Sequence, residues 1–389
     1  MPITYPNGTP YSGIWTIPQV NDAKAAGTWP IAFNDVSLLT WGNNGFGRLG
    51  LNNTTSYSSP KAVGSAPWSV ISSGDAMNAA VKLDGTLWTW GYNNYGGGGG
   101  ALGHNNTTSY SSPKQVGTGT TWATISADSY GYTTAAIKTD GTMWCWGYGA
   151  GGQMGDGTTV GKSSPKQVGA LTNWSKVYVG SYTILAIKTD GTLWGWGFNG
   201  TGQLGLGDSG GYTHRSSPTQ IGGGTTWRTA IVNNGASFAI KTDNSLWGWG
   251  NNTYGQLGVG NTTNYSSPKQ LTNTNWASIG GGIYHVSAVT TSGALYCWGY
   301  GPEGRLGLNN TTSYSNIKQV GALTNWGPAL PGANINIKTN SQLWMWGKNG
   351  NGELGLGNTT HISSPVQIGS LTSWLAAAGN YSGTMATAS

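Results

Sequence analysis

The sequence predicts an all-β protein: a single seven-bladed β-propeller over residues 34–389, with one blade assembled from both ends of the chain. Three observations predict it. The dipeptide Trp-Gly recurs with Trp at 41, 90, 146, 196, 249, 298 and 346. A second series of single tryptophans, Trp68, Trp122, Trp174, Trp227, Trp276, Trp326 and Trp374, follows the first with the same sevenfold count. The spacing between the two series leaves half a unit at each end of the chain.

Composition narrows the class first. Glycine is 67 of 389 residues, tryptophan 21 and tyrosine 19, and charged residues are only 8%. A disordered chain has no core in which to place that many tryptophans. So few charges exclude a long solvated helix or a coiled coil. No apolar run approaches the roughly 18–20 residues of a membrane span, and no membrane insertion is expected. The net charge of +6 comes from 18 basic and 12 acidic residues, too sparse for a specific nucleic-acid footprint. Met1-Pro2-Ile3-Thr4-Tyr5-Pro6 has neither a basic n-region nor an apolar h-region, so no signal peptide is expected.

Each unit reads as short strands between turns. In the best-preserved one, Thr189-Asp190-Gly191 separates the apolar segments Ala186-Ile187 and Leu193-Trp194-Gly195-Trp196. That is a hairpin signal, with Gly supplying a positive φ. Gly200-Thr201-Gly202-Gln203-Leu204-Gly205 then allows sharp turning, and a Ser-Ser-Pro follows. Several short strands in about 50 residues match a propeller blade. From single Trp to the next Trp-Gly is 22 residues in four repeats, yet only 15 residues follow Trp374. Asp35 to Trp41 aligns with Asp190 to Trp196 and supplies the rest. Joining the termini removes the open edge of a partial blade.

These residues resemble the repeats of the regulator of chromosome condensation family. The resemblance covers about residues 34–389 and is carried by Trp-Gly, Gly-Gln-Leu-Gly and Pro-x-x-Val; Gly282 to Ala288 with Gly293 to Gly299 is the closest unit. It implies a seven-bladed propeller closed between the termini. The family's founding activity, nucleotide exchange on a small GTPase, is not implied here. The wedge-like insertion and basic tail are missing, and the usual mid-blade His is replaced almost everywhere. The same architecture also serves as a plain binding platform. Residues 1–33 instead resemble segments of marine bacteriophage virion proteins, on Tyr11 to Ile17 and Ala25 to Pro30. They read as a leader or assembly anchor, with Ile14, Trp15, Ile17 and Trp29 as its contact residues.

Signals of chemistry dissolve into the repeat. Gly45-x-Gly47-x-x-Gly50 and Gly200-x-Gly202-x-x-Gly205 match a dinucleotide fingerprint, but a Ser/Thr/Asn loop follows where a helix N-terminus is required. Asp35, Asp84, Asp140, Asp190 and Asp243 are one repeated turn residue. His104, His214, His285 and His361 lie in different repeats without ligand spacing. Cys145 and Cys297 share a repeat position, too far apart for a disulfide, and read as buried fillers. No catalytic residue, metal or cofactor is expected. Lys61, Lys114, Lys166, Lys269 and Lys318 form one repeat-locked set, and Lys82, Lys138, Lys188, Lys241 and Lys338 another. Both read as solvated blade surface, or alternatively as a weak basic field for an anionic partner.

Loop length gives the binding candidates. From the Trp-Gly tryptophan to the Pro position is 19 residues in five repeats, but 23 after Trp90 and 22 after Trp196. The inserts hold Tyr95 and His104 in one case, and Asp208, Tyr212, His214 and Arg215 in the other. Equivalent loops share one side of a propeller, where binding residues concentrate. The functional expectation is a non-enzymatic structural or attachment protein of a bacteriophage particle, located in the virion. Its expected partners are other virion proteins or copies of itself, and a host-surface receptor or glycan. The alternative is a cytoplasmic protein-binding module of the exchange-factor or inhibitor type.

Overall fold

Apolar segments of five or six residues, cut by glycine turns, are too short for anything but small sheets. The computed structural model describes residues 37–389 except 65, 95–98, 129, 131, 272–274, 331 and 333. In it they form seven four-stranded antiparallel sheets. The Trp196 blade shows the plan: Trp174–Gly180 innermost, then Thr183–Lys188, Leu193–Gly197 and the outer Arg215–Gln220. Strands that begin at the single tryptophans line the axis. Strands that carry Ser-Ser-Pro form the rim. Proline there removes a donor from an open edge, which protects it from pairing with another chain.

The closing blade takes its two inner strands, Trp374–Gly379 and Gly383–Ala388, from the carboxy terminus. Its outer two, Ser37–Gly42 and Tyr57–Ala62, come from the other end. Ser37–Gly42 joins the two ends, pairing with the carboxy-terminal strand without interruption from Ser37↔Ala388 to Gly42↔Gly383. The sevenfold count and the split blade are therefore both as the repeat arithmetic requires. The contact residues expected at Ile14, Trp15, Ile17 and Trp29 lie outside the described residues, as does the whole 1–33 segment.

The core lies in the seams between blades. One cluster joins Leu185, Leu193 and Ile221 of the Trp196 blade to Trp227, Ala239 and Trp249 of the next. Each seam is clamped the same way. The Trp249 indole Nε1–H donates 2.9 Å to the Gln203 carbonyl of the preceding blade. Trp90 donates to Arg48, Trp146 to Ala101, Trp196 to Gln153, Trp298 to Gln256 and Trp346 to Arg305 in the same manner. Trp41 closes the circle on Glu353 at 2.8 Å.

The last glycine of the loop is required because a Cβ on Gly205 would sit 2.7 Å from the Trp249 Nε1. The Gly207 N–H then donates 2.8 Å to the carbonyl of Ser266, in the Ser-Ser-Pro segment of the next blade. Gly357 makes the equivalent bond to Ser58 across the closing seam, at 2.7 Å. The dinucleotide-like glycine spacing is thus the inter-blade clamp.

The turn aspartates anchor a second device. Asp190 Oδ1 accepts from the Thr192 N–H and hydroxyl, and that hydroxyl accepts from Trp194 Nε1 at 2.8 Å. Lys188 Nζ lies 3.6 Å from the Trp194 ring centroid and 4.9 Å from that of Trp174. Lys82, Lys138, Lys241 and Lys338 sit over the equivalent tryptophan pairs. This corrects the reading of that lysine set as solvated surface or open basic field: the ammonium groups are held against indole faces. Cys145 and Cys297 are buried and unpaired, as fillers should be.

Two outcomes follow. Trp41→Phe removes a fully buried donor, leaving the Glu353 carbonyl only the Thr384 hydroxyl, and replaces the large indole in the seam, so it should lower the unfolding free energy by about 2–4 kcal/mol in chemical denaturation. Trp249→Phe should do the same, because the closing seam uses the same bond. The second outcome concerns acid. Hydroxyl hydrogen bonds from Thr142, Thr192 and Ser245 hold Asp140, Asp190 and Asp243 below the ordinary value of 3.8. A depressed folded pKa gives stability that is complete above the unfolded value and lost as pH falls through the folded one. Thermal stability should therefore fall below pH 3.8, and replacing all three aspartates by asparagine should flatten that limb.

Candidate functional site at the channel mouth

In each blade the second strand starts opposite the end of the third, as in Thr183↔Gly197 and His285↔Gly299. The turn into the second strand and the loop after Trp-Gly therefore share one face. That face surrounds the mouth of the central channel, and both long loops open on it, as their repeat position predicts. The Asp-Gly turns and the outer-to-inner connections lie on the opposite face.

The mouth carries a row of aromatic rings. Tyr132 and Tyr182 stack with centroids 5.2 Å apart and planes 9° from parallel. Tyr130 stacks on Tyr132 at 5.9 Å, and Tyr148 meets Tyr182 edge-on at 5.6 Å. Phe198 continues the row 6.4 Å from Tyr182, and His214 closes on Phe198 at 4.4 Å. All six rings are half-buried. Farther round the mouth, Tyr254, Tyr284 and Tyr300 pack together, with centroids 4.9–5.9 Å apart. Rings so close leave no room for a cation between them, which excludes an aromatic cage there.

Tyr182 holds φ +65°. A bulky side chain rarely adopts that backbone conformation, and such outliers concentrate where a site requires a fixed geometry. The turn places the ring between its neighbours on two blades. Burial, followed by the negative fields of Tyr132 and Asp128, raises its phenol pKa, so the ring stays neutral. The cations at the mouth are neutralised locally. Arg48 faces Asp75 at 3.8 Å, Lys348 faces Glu353 at 3.3 Å, and Arg305 pairs with Glu303. The face is polar and aromatic, with little net charge.

The two long loops bracket the row. A Cβ on Gly99 in the first loop would clash with the Gly147 carbonyl, so this loop lies against the strand end that presents Tyr148. Tyr95 falls outside the described residues. His104 does not reach the mouth. Its ring turns into its own blade, 3.1 Å from Thr89 Oγ1 and edge-on to Tyr110, and burial pushes its pKa to about 4. In the second loop Arg215 and Asp208 are not free contact groups. They pair at 2.5 Å, while Asn199 donates 2.8 Å to Asp208 Oδ1, and together they stiffen the loop. His214 joins the aromatic row, and Tyr212 projects fully exposed at the tip. Sequence reasoning found the loops but missed the row. Its signal was the aromatic residue directly after Trp-Gly, as in Tyr148, Phe198 and Tyr300, together with the tyrosines of the preceding turns. Among the described residues no group of three His, Cys, Asp or Glu side chains converges as a metal site would require.

Known proteins share this architecture. The family described as RCC1-like domain matches residues 37–385. The Ultraviolet-B receptor UVR8 of Arabidopsis thaliana is 29% identical over 252 residues, 61% of this chain and 54% of the receptor. The E3 ubiquitin-protein ligase HERC2 of Homo sapiens is 27% identical over 239 residues, 60% of this chain and 5% of the ligase. The chain thus spans about half the length of the first relative and a small part of the second. Human WBSCR16 superposes with a TM-score of 0.79 at 19% identity, covering 91% of this chain and 98% of that one. Prp20p of Saccharomyces cerevisiae gives 0.77 at 18%, covering 91% and 92%. At these identities the structural likeness shows the fold.

Tyr182→Gly tests whether the strained ring serves stability. Glycine relieves the left-handed backbone, worth about 1–3 kcal/mol, and forfeits the ring contacts, each about 0.5–1.5 kcal/mol. The unfolding free energy should change by less than about 1 kcal/mol, against several for the buried Trp196→Ala.

Proposed function

The chain belongs to the RCC1-like domain family, and from that premise we propose that it is a non-enzymatic protein-binding module whose partner docks on the aromatic row at the channel mouth. One observation carries the reading: aromatic rings from two adjacent blades, one of them on a strained backbone, lie half-buried between two lengthened loops of the ring. Large aromatics dominate protein contacts because they bury much area at little loss of side-chain freedom. A rigid β-scaffold with variable loops is the usual setting for such a surface.

Relatives support the class. UVR8 is named as a receptor, and Prp20p is described together with its binding to Gsp1p and histones. The specific partners of those proteins do not transfer at these identities and partial lengths. The virion reading, drawn from residues 1–33 and the Gly/Thr/Asn-rich, low-charge surface, finds no support in the family. The binding-module alternative takes its place.

The test uses the intact chain cross-linked in its native extract, with two sets of variants. Tyr132→Ser, Phe198→Ser and Tyr182→Gly alter the row. Leu171→Ser and Leu371→Ser alter exposed residues of the opposite face. Partner recovery should fall at least about tenfold with each row variant, the scale of one hot-spot residue, and stay constant with the leucine variants. Recovery that depends on the leucines and ignores the row would place the docking face on the other side.

A further inference from the structure

The channel itself holds a second candidate, independent of the docking face. Its mouth end encloses a cavity of about 360 Å³, within the range of small-molecule sites. The wall is apolar, formed by Ile71, Ile125, Val177, Ile231 and Ile279 from successive inner strands. Most polar groups on that wall are already paired. Asn380 donates to the Ser73 hydroxyl and the Gly74 carbonyl and accepts two backbone N–H bonds. Ser72 and Ser126 accept from the next blade, and Tyr178 meets Thr229 at 3.1 Å.

Two lining residues differ. His285 is 2% exposed, and apart from the Asn334 side chain beside the ring its nitrogens have no hydrogen-bond partner. Arg305 is 7% exposed; its Nη2 pairs with Glu303 while its buried Nε has no partner. Leaving such groups unpaired and buried costs about 1–3 kcal/mol each, more for a charged one. His285 also breaks the repeat. The positions equivalent to His285 hold Met77, Thr133, Thr183, Ala236 and Gly383, none of them titratable. The positions equivalent to Arg305 hold Gln153, Gln203 and Gln256 in three blades, Ala101 and Glu353 in two, and a second arginine, Arg48, in another; Arg305 is the arginine that lines the cavity.

We propose that this cavity binds a small molecule with a carboxylate head on an apolar body, the head held by Arg305 and His285. A guanidinium presents a planar fork of donors that matches a carboxylate, and only one arm is committed to Glu303. His285 is kept neutral by burial and then by the Arg305 charge, with its pKa pulled to about 3. It therefore offers one N–H to the second carboxylate oxygen. The isoleucine and valine wall takes the apolar body and excludes water from the head.

Titration calorimetry of the intact protein with octanoate, and with octanol as its neutral match, tests this. Octanoate should bind one per chain with a Kd below about 1 mM, at least tenfold tighter than octanol. Arg305→Met should abolish the preference. Glu303→Gln removes the competing carboxylate and should tighten octanoate while leaving octanol unchanged, a gain that a merely structural ion pair would not give. The proposal falls if octanoate does not bind, if octanol binds equally well, or if Arg305→Met keeps the preference. Should that variant not fold, unchanged or weakened octanoate binding by Glu303→Gln has the same force. Tyr182→Gly should leave octanoate binding intact, which separates this site from the docking face.

Discussion

One hydrogen bond, made seven times, organises this molecule. The indole of each Trp-Gly tryptophan donates to a carbonyl of the preceding blade, from Trp90 on Arg48 round to Trp41 on Glu353. The bond forms only if the preceding loop comes within van der Waals contact of the indole, which is why its last glycine has no side chain. The same loop then donates outward to the Ser-Ser-Pro segment of the next blade. Three sequence signatures are therefore one contact seen from three sides. A single blade cannot bury its apolar face; burial in the seams between blades makes the ring the unit of stability.

Closure is the demanding step. The bond between Trp41 and Glu353 joins residues 312 apart, whereas the other six span 41 to 46. Two strands from each end meet in one sheet, with Ser37–Gly42 fully paired against Gly383–Ala388. The register leaves no slack and removes both free edges at once. The rim strands remain exposed, and their proline, lysine and bulged pairing make them poor templates for another chain.

Regularity also makes function visible as departure. Tryptophans, turn aspartates and the second lysine set are consumed by the frame: Lys188 is held between two indoles, and Asp190 locks the turn through Thr192. What the frame does not require stands out against it. The mouth tyrosines, the strained Tyr182, the two longer loops, His285 and Arg305 all lie at one end of the channel. A rigid ring can hold such groups in place with little loss of conformational freedom on binding.

The sequence by itself determined the number of blades, their closure through the termini and the all-strand build of the described residues, because each depends on a period that can be counted. It also located the two long loops and their shared face. It did not reveal that Asp208 and Arg215 pair with each other, that His104 turns inward, or that five lysines lie against tryptophan. It also concealed the aromatic row. Tyr132 and Tyr182 are 50 residues apart and belong to different blades, so only the curvature of the ring brings them to 5.2 Å. Periodicity is a property of the chain and can be read along it. Convergence of side chains from different repeats depends on the angle between blades, which the packing of the seams sets and no local spacing encodes.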